Sequence, residues 1–76
     1  MDKMLGLLIN EAEQKEIEYM VKRELEEILL DLEDQRIDPQ MKQSMRTRYE
    51  NLFQLLLRVA GKEECLPYLL AKNRTK

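Results

Sequence analysis

Apolar side chains recur every three or four positions along most of this chain, and no stretch alternates with period two. That spacing belongs to helices rather than strands. At 100° per residue, Ile17, Val21, Leu25, Ile28 and Leu32 fall within an arc of about 80°, wide enough to pack one neighbour. Met41, Met45, Tyr49, Leu52, Leu56 and Val59 form an answering stripe further on, with Met41 and Met45 as gap-fillers. Between the stripes stands Ile37-Asp38-Pro39. Asp38 suits an N-cap, and Pro39 suits the first helical position, where its missing N–H costs nothing. Gly61 closes the second helix in the left-handed position, and Pro67 follows within a few residues. The pattern predicts helices over about 3–34, 39–60 and 66–72, with Pro67 near the start of the third and 73–76 a frayed tail. A loop of about 35–38 makes the first two helices antiparallel neighbours. Residues 1–76 thus read as a single small all-α domain, a long antiparallel helical hairpin plus a short C-terminal helix.

This seam leaves apolar residues over. Leu5, Leu8, Ala12, Tyr19 and Leu30 cluster nearly opposite the Ile17–Leu32 stripe, with Ile9 on their flank. On the second helix, Phe53 and Leu57 lie about 80° and about 120° from the main stripe, and Leu55 lies off the other side. A continuous helix 3–34 would be roughly 48 Å long against roughly 33 Å for helix 39–60. The overhang carries Met4, Leu5, Leu7, Leu8 and Ile9. Leu66, Tyr68, Leu69 and Leu70 of the third helix are expected to cover part of it, and a second copy of the chain the rest. Each such side chain is worth ~1.5–3 kcal/mol when fully buried. The expectation is a homodimeric helix bundle, with Leu5, Leu8, Ile9, Ala12, Tyr19, Phe53 and Leu57 as the dimer or partner interface. A competing reading breaks the first helix near Gly6 or Asn10, because Asn10-Glu11-Ala12-Glu13 has the spacing of a capping box. Residues 2–9 would then fold back on the hairpin and complete a monomeric bundle of three or four helices. Gly6 costs a helix interior only about 1 kcal/mol and does not decide between the two.

Composition narrows the chemistry. The chain has 76 residues, 43% hydrophobic and 37% charged, with one cysteine and no histidine. It is too apolar to be disordered, yet so short that it buries only roughly 60% of its unfolded surface. An intrachain disulfide is excluded and a zinc site is not supported. Acid pairs at i, i+3 (Glu13/Glu16, Glu24/Glu27, Asp31/Asp34) lack the histidines that di-metal bundles need. Cys65 has Glu63 and Glu64 beside it, which opposes thiolate formation. Ser44 and Thr47 have no histidine to activate them, and Gly6 and Gly61 are too far apart for a phosphate loop. No catalytic residue, cofactor or metal is expected.

The formal net charge of −2 hides an asymmetry: residues 1–38 hold twelve acids and five bases, residues 39–76 three acids and eight bases. Opposite halves favour a charge-matched hairpin, although surface pairs are individually worth only ~0–1 kcal/mol. Glu11–Lys15 and Glu18–Lys22 stand at i, i+4 in the favourable order. The sharper alternative is an acidic face of Glu16, Glu24, Glu27, Asp31 and Asp34 kept for a basic partner, as in an acidic DNA-mimic antirepressor. Another alternative is nucleic-acid binding by helix 39–60 (Lys42, Arg46, Arg48, Arg58) with the basic tail Lys72, Arg74 and Lys76. No recognition-helix pattern or stacking platform accompanies those bases. The run Met4–Ile9 is shorter than a secretory or membrane segment, which predicts a cytoplasmic protein without a membrane partner. The reading is a small non-enzymatic regulatory protein that acts by stoichiometric binding through a helical surface.

Overall fold

A computed structural model describes residues 3–74. Three helices follow one another: α1 (Glu11–Leu32), α2 (Pro39–Ala60) and α3 (Lys62–Arg74). No strand occurs among the described residues. α1 begins at residue 11, eight residues later than the continuous helix 3–34 required. The cause is local and reciprocal. The Glu13 backbone N–H donates to Asn10 Oδ1 at 2.8 Å, and the Asn10 N–H donates to Glu13 Oε1 at 2.9 Å. This closed capping box satisfies helix-end donors that would otherwise need another turn of helix. The competing reading placed the break correctly but not what precedes it. Residues 3–10 are non-helical and exposed, forming an arm that does not fold back on the hairpin; Asp2 lies outside the described residues.

α1 ends at Leu32, and the loop is tied by Asp34, whose carboxylate accepts the Arg36 N–H at 2.9 Å and two guanidinium hydrogen bonds. Asp38 then caps α2 by accepting the Gln40 N–H at 2.7 Å, with Pro39 opening the helix. At the far end of the hairpin, Gln14 Nε2 of α1 donates to the Val59 carbonyl of α2. The antiparallel pair is therefore fastened at both ends. Gly61 alone separates α2 from α3, at φ 85° and ψ 173°, a backbone region essentially reserved for glycine. Because that one residue turns the chain, α3 starts at Lys62 rather than at 66. It runs through Pro67, which removes a single early bond, and Glu63 and Glu64 in its first turn suit the helix dipole. Asn73 and Arg74 belong to α3 instead of a frayed tail; Thr75 and Lys76 lie outside the described residues.

The core joins all three helices: Val21, Leu25, Ile28 and Leu32 from α1, Tyr49, Phe53 and Leu56 from α2, and Cys65 from α3. Ile17, Met45, Leu52, Leu57, Val59 and Tyr68 pack around it. Several expectations change. Met41 is 58% exposed and fills no gap, since it sits in the first turn of α2. Phe53 is a core residue, not a partner contact. α3 shelters that second face of α2: Tyr49 and Phe53 share the core with Cys65, and the Tyr49 hydroxyl donates to the Tyr68 carbonyl at 2.7 Å. Leu57 likewise packs against the core. α3 leaves the arm uncovered, and its own Leu66, Leu69 and Leu70 point outward.

Candidate interaction surface

Exposed apolar side chains lie on the arm and the outer side of α1, and again on α3, where Leu66, Leu69 and Leu70 are exposed, with Met41 and Leu55 on α2. Met4, Leu5, Leu7 and Leu8 are 78%, 80%, 78% and 98% exposed. Ala12, Tyr19 and Leu30 continue on the outer face of α1, with Tyr19 at 59% and Leu30 at 69%. Ile9, at 38%, is more sheltered than Met4, Leu5, Leu7 and Leu8. It lines a shallow hollow with Gln14, Glu18, Arg58 and Val59, where the arm meets the end of the hairpin. Two further shallow hollows, bordered only by α1 residues, flank Tyr19. Of the seven apolar positions singled out from sequence, the structure leaves Leu5, Leu8, Ile9, Ala12 and Tyr19 exposed and takes Phe53 and Leu57 into or against the core. Met20, 54% exposed, borders the same face and was not picked out from the sequence. Its angular position, about 100° beyond Tyr19 on the wheel, was the available signal.

Surface area gives the surplus a size. The chain exposes 6432 Å², whereas a compact monomer of its 9.2 kDa mass exposes roughly 4,900 Å². The Cα radius of gyration, 13.7 Å, likewise exceeds the roughly 11 Å of a compact chain of this length. The excess, roughly 1,500 Å² of polar and apolar surface together, is larger than the roughly 800 Å² that one partner contributes to a standard protein–protein interface.

The five acids do not form one free patch. Glu24 faces Arg48 of α2 at 3.8 Å, and Glu27 faces Arg23 at 3.7 Å. Asp34 lies beyond the end of α1, engaged with Arg36, whose guanidinium holds the carboxyl below the usual carboxylate range. Glu16 and Asp31 are exposed, and neither has an ion pair among the described residues. The charge-matched hairpin therefore rests on a single α1–α2 pair, Arg48–Glu24. The closer inter-helix pairs hold α3: Lys22 bridges Glu18 and Glu64 at 2.8 and 2.6 Å, and Lys72 pairs with Glu50. Those hydrogen bonds raise the Lys22 ammonium pKa, Glu18 contributing most. Arg48 and Lys72 are thereby engaged within the chain, whereas Lys42, Arg46 and Arg58 have no ion pair among the described residues.

Cys65 is buried, and its thiol is pushed up mainly by burial, with Lys22 opposing and Glu64 and Glu18 assisting. Desolvation, more than the neighbouring acids, keeps it a thiol. Burial also raises the Tyr49 and Tyr68 hydroxyls to about 12, Tyr68 with help from its 2.8 Å hydrogen bond to Glu26. Among the described residues no helix is long and apolar enough to cross a membrane. Neither a protein family, nor a curated protein, nor a solved structure matches this chain.

Proposed function

We propose that the chain is a small non-enzymatic binding protein, acting stoichiometrically through the arm and the outer face of α1. The observation that carries this reading is the set of exposed apolar side chains on the arm and the outer face of α1, Leu5, Leu8 and Tyr19 foremost, on a chain whose core is already complete without them. Leaving several large apolar groups wet forgoes stabilisation comparable to a small domain's whole stability, unless a partner covers them. The residues carry no activated nucleophile or acid–base pair to suggest turnover, so regulation by occupancy is the mechanism that fits. A cytoplasmic setting suits a lone buried thiol. The test compares two baits in an extract of the source cells, the native chain and Leu8→Glu/Tyr19→Glu. Both positions are exposed, so the variant retains its melting temperature as a dilute monomer. Loss of a bound protein only with the variant supports the reading. Equal capture by both baits, or capture by neither together with an unchanged solution mass, overturns it.

A further inference from the structure

We infer that α3 is a hinged flap held down by charge, which detaches as a unit from a hairpin that stays folded. Its release uncovers Tyr49 and Phe53 as a second apolar face on α2. The three helices are held very unequally. α1 gives Val21, Leu25, Ile28 and Leu32 to the core and α2 gives Tyr49, Phe53 and Leu56, whereas α3 gives Cys65. Tyr68, Ala71 and Lys72 are half-buried, and the rest of 62–72 is exposed. The large apolar residues of this helix, Leu66, Leu69 and Leu70, face water. Burial of apolar area is the main force that docks a helix, so one that keeps its leucines outside is weakly docked. α3 has thirteen residues with Pro67 inside, a length at which an isolated helix is marginal. Once released it unravels.

The contacts that cross to α3 are largely polar. Glu64 accepts from Lys22 at 2.6 Å, the Tyr68 hydroxyl donates to Glu26 at 2.8 Å, and Lys72 pairs with Glu50. The Glu64 side chain is 53% exposed, and those of Lys72 and Glu50 are 39% and 40% exposed. Ties of this kind are individually weak and are screened by salt. The hairpin is fastened differently, by its apolar seam, by the Gln14 bond to the Val59 carbonyl and by the Asp38 cap. Its ion pair between α1 and α2, Arg48–Glu24, spans a loose 3.8 Å. Added salt therefore loosens α3 and spares the hairpin.

Gly61 supplies the hinge. Docking α3 requires its φ of 85° and ψ of 173°, and a detached α3 leaves the residue free to relax. A Cβ built there meets nothing within 4 Å. Alanine at this position thus strains the docked backbone without a clash, which biases the chain toward the open form.

Cys65 reports the opening, because its 1% exposure shuts reagents out while α3 is docked. Labelling the full chain with a neutral maleimide, slowly enough that reclosing is faster, measures the open fraction. Gly61→Ala should speed labelling roughly tenfold, while hydrogen exchange finds the amides of α1 and α2 as protected as in the native chain. Raising salt from about 0.05 M to about 1 M should speed it about threefold, after correction for the reagent's rate on the urea-unfolded chain; Tyr68→Phe at low salt should do the same. Leu32→Ala, in the last turn of α1, separates the flap from whole-chain unfolding. It should leave the labelling rate within about twofold if α3 opens alone, and speed it at least about thirtyfold if Cys65 is reached only by global unfolding. Leu32→Val makes the same comparison if the alanine chain does not fold. Labelling that tracks global unfolding in the Leu32 variants and in its urea slope overturns the inference, as does labelling that ignores Gly61→Ala. So does an opening indifferent to both salt and Tyr68→Phe, because charge would then not be what holds the flap.

Discussion

Both long helices carry two apolar stripes, and the chain treats the second stripe of each in opposite ways. On α2 the extra Phe53 is absorbed, 6% exposed and sharing the core with Cys65 of α3, and Leu57 packs against that core, while Leu55 alone of the three stays 40% exposed. On α1 the extra residues stay in water, Tyr19 at 59% and Leu30 at 69%, with the arm beyond them more exposed still. α3 is thirteen residues long and follows α2 after the single residue Gly61. It is therefore held against the helix it has just left and reaches α1 chiefly through polar ties, Lys22 with Glu64 and Tyr68 with Glu26. The lesson is geometric. A chain this short has cover for three faces, and the fourth must be covered from outside or left wet.

The sharpest way to break this contrast is Phe53→Ala. If the second face of α2 is core, the substitution should cost about 3–5 kcal/mol, read by urea denaturation, and remove most of the folded population. A loss below about 1 kcal/mol would return Phe53 to the surface. An alkaline titration probes the same contact more gently. The Tyr49 hydroxyl, near 10 in an unfolded chain, is raised to about 12 by burial. Between those values the folded state keeps a proton that the unfolded state has lost. Stability is therefore fully present below about pH 10 and falls as pH rises toward 12, by on the order of 2 kcal/mol. Circular dichroism melts across that window should show the decline, and Tyr49→Phe should reduce it, leaving the part carried by Tyr68, whose hydroxyl is raised into the same range. Asn10→Ala is next: loss of the capping box should cost about 1 kcal/mol, with hydrogen exchange accelerating first at the start of α1. Smallest is Leu8→Ser, which should change monomer stability by less than about 0.5 kcal/mol in dilute solution. A large destabilisation there would mean the arm packs on its own body.

Much of the architecture was legible because it rests on short-range rules. Asp38-Pro39 and Gly61 mark α2 to the residue, and the Val21–Leu32 stripe is buried as its spacing implies. Where two local preferences compete, periodicity was a poorer guide. The apolar line from Leu5 to Tyr19 suggests a continuous helix, but two reciprocal hydrogen bonds at Asn10 and Glu13 outweigh a pattern that has no neighbour to pack against. The start of α3 was hidden for a similar reason, since Pro67 signals a first turn whereas the glycine six residues earlier had already made it. The surface divides along the same line. The exposure of Ala12 and Tyr19 follows from the helical wheel, whereas Leu5 and Leu8 stand on a non-helical arm to which the wheel does not apply, and the wheel cannot say that α3 returns over Phe53, because that depends on where a one-residue hinge sends the chain. Nor does it say that Asp34 falls beyond the helix and spends its charge on Arg36.

The Asn10–Glu13 clasp also separates the chain into parts with independent fates. Everything from the clasp onward closes its hydrogen bonds without reference to the seven described residues ahead of it, so the sequence of 3–9 is released from any duty to the fold. Under the proposed binding role, changes there would retune the contact while the body melts as before. Such a firebreak lets selection retune recognition freely on a scaffold that never registers the edits.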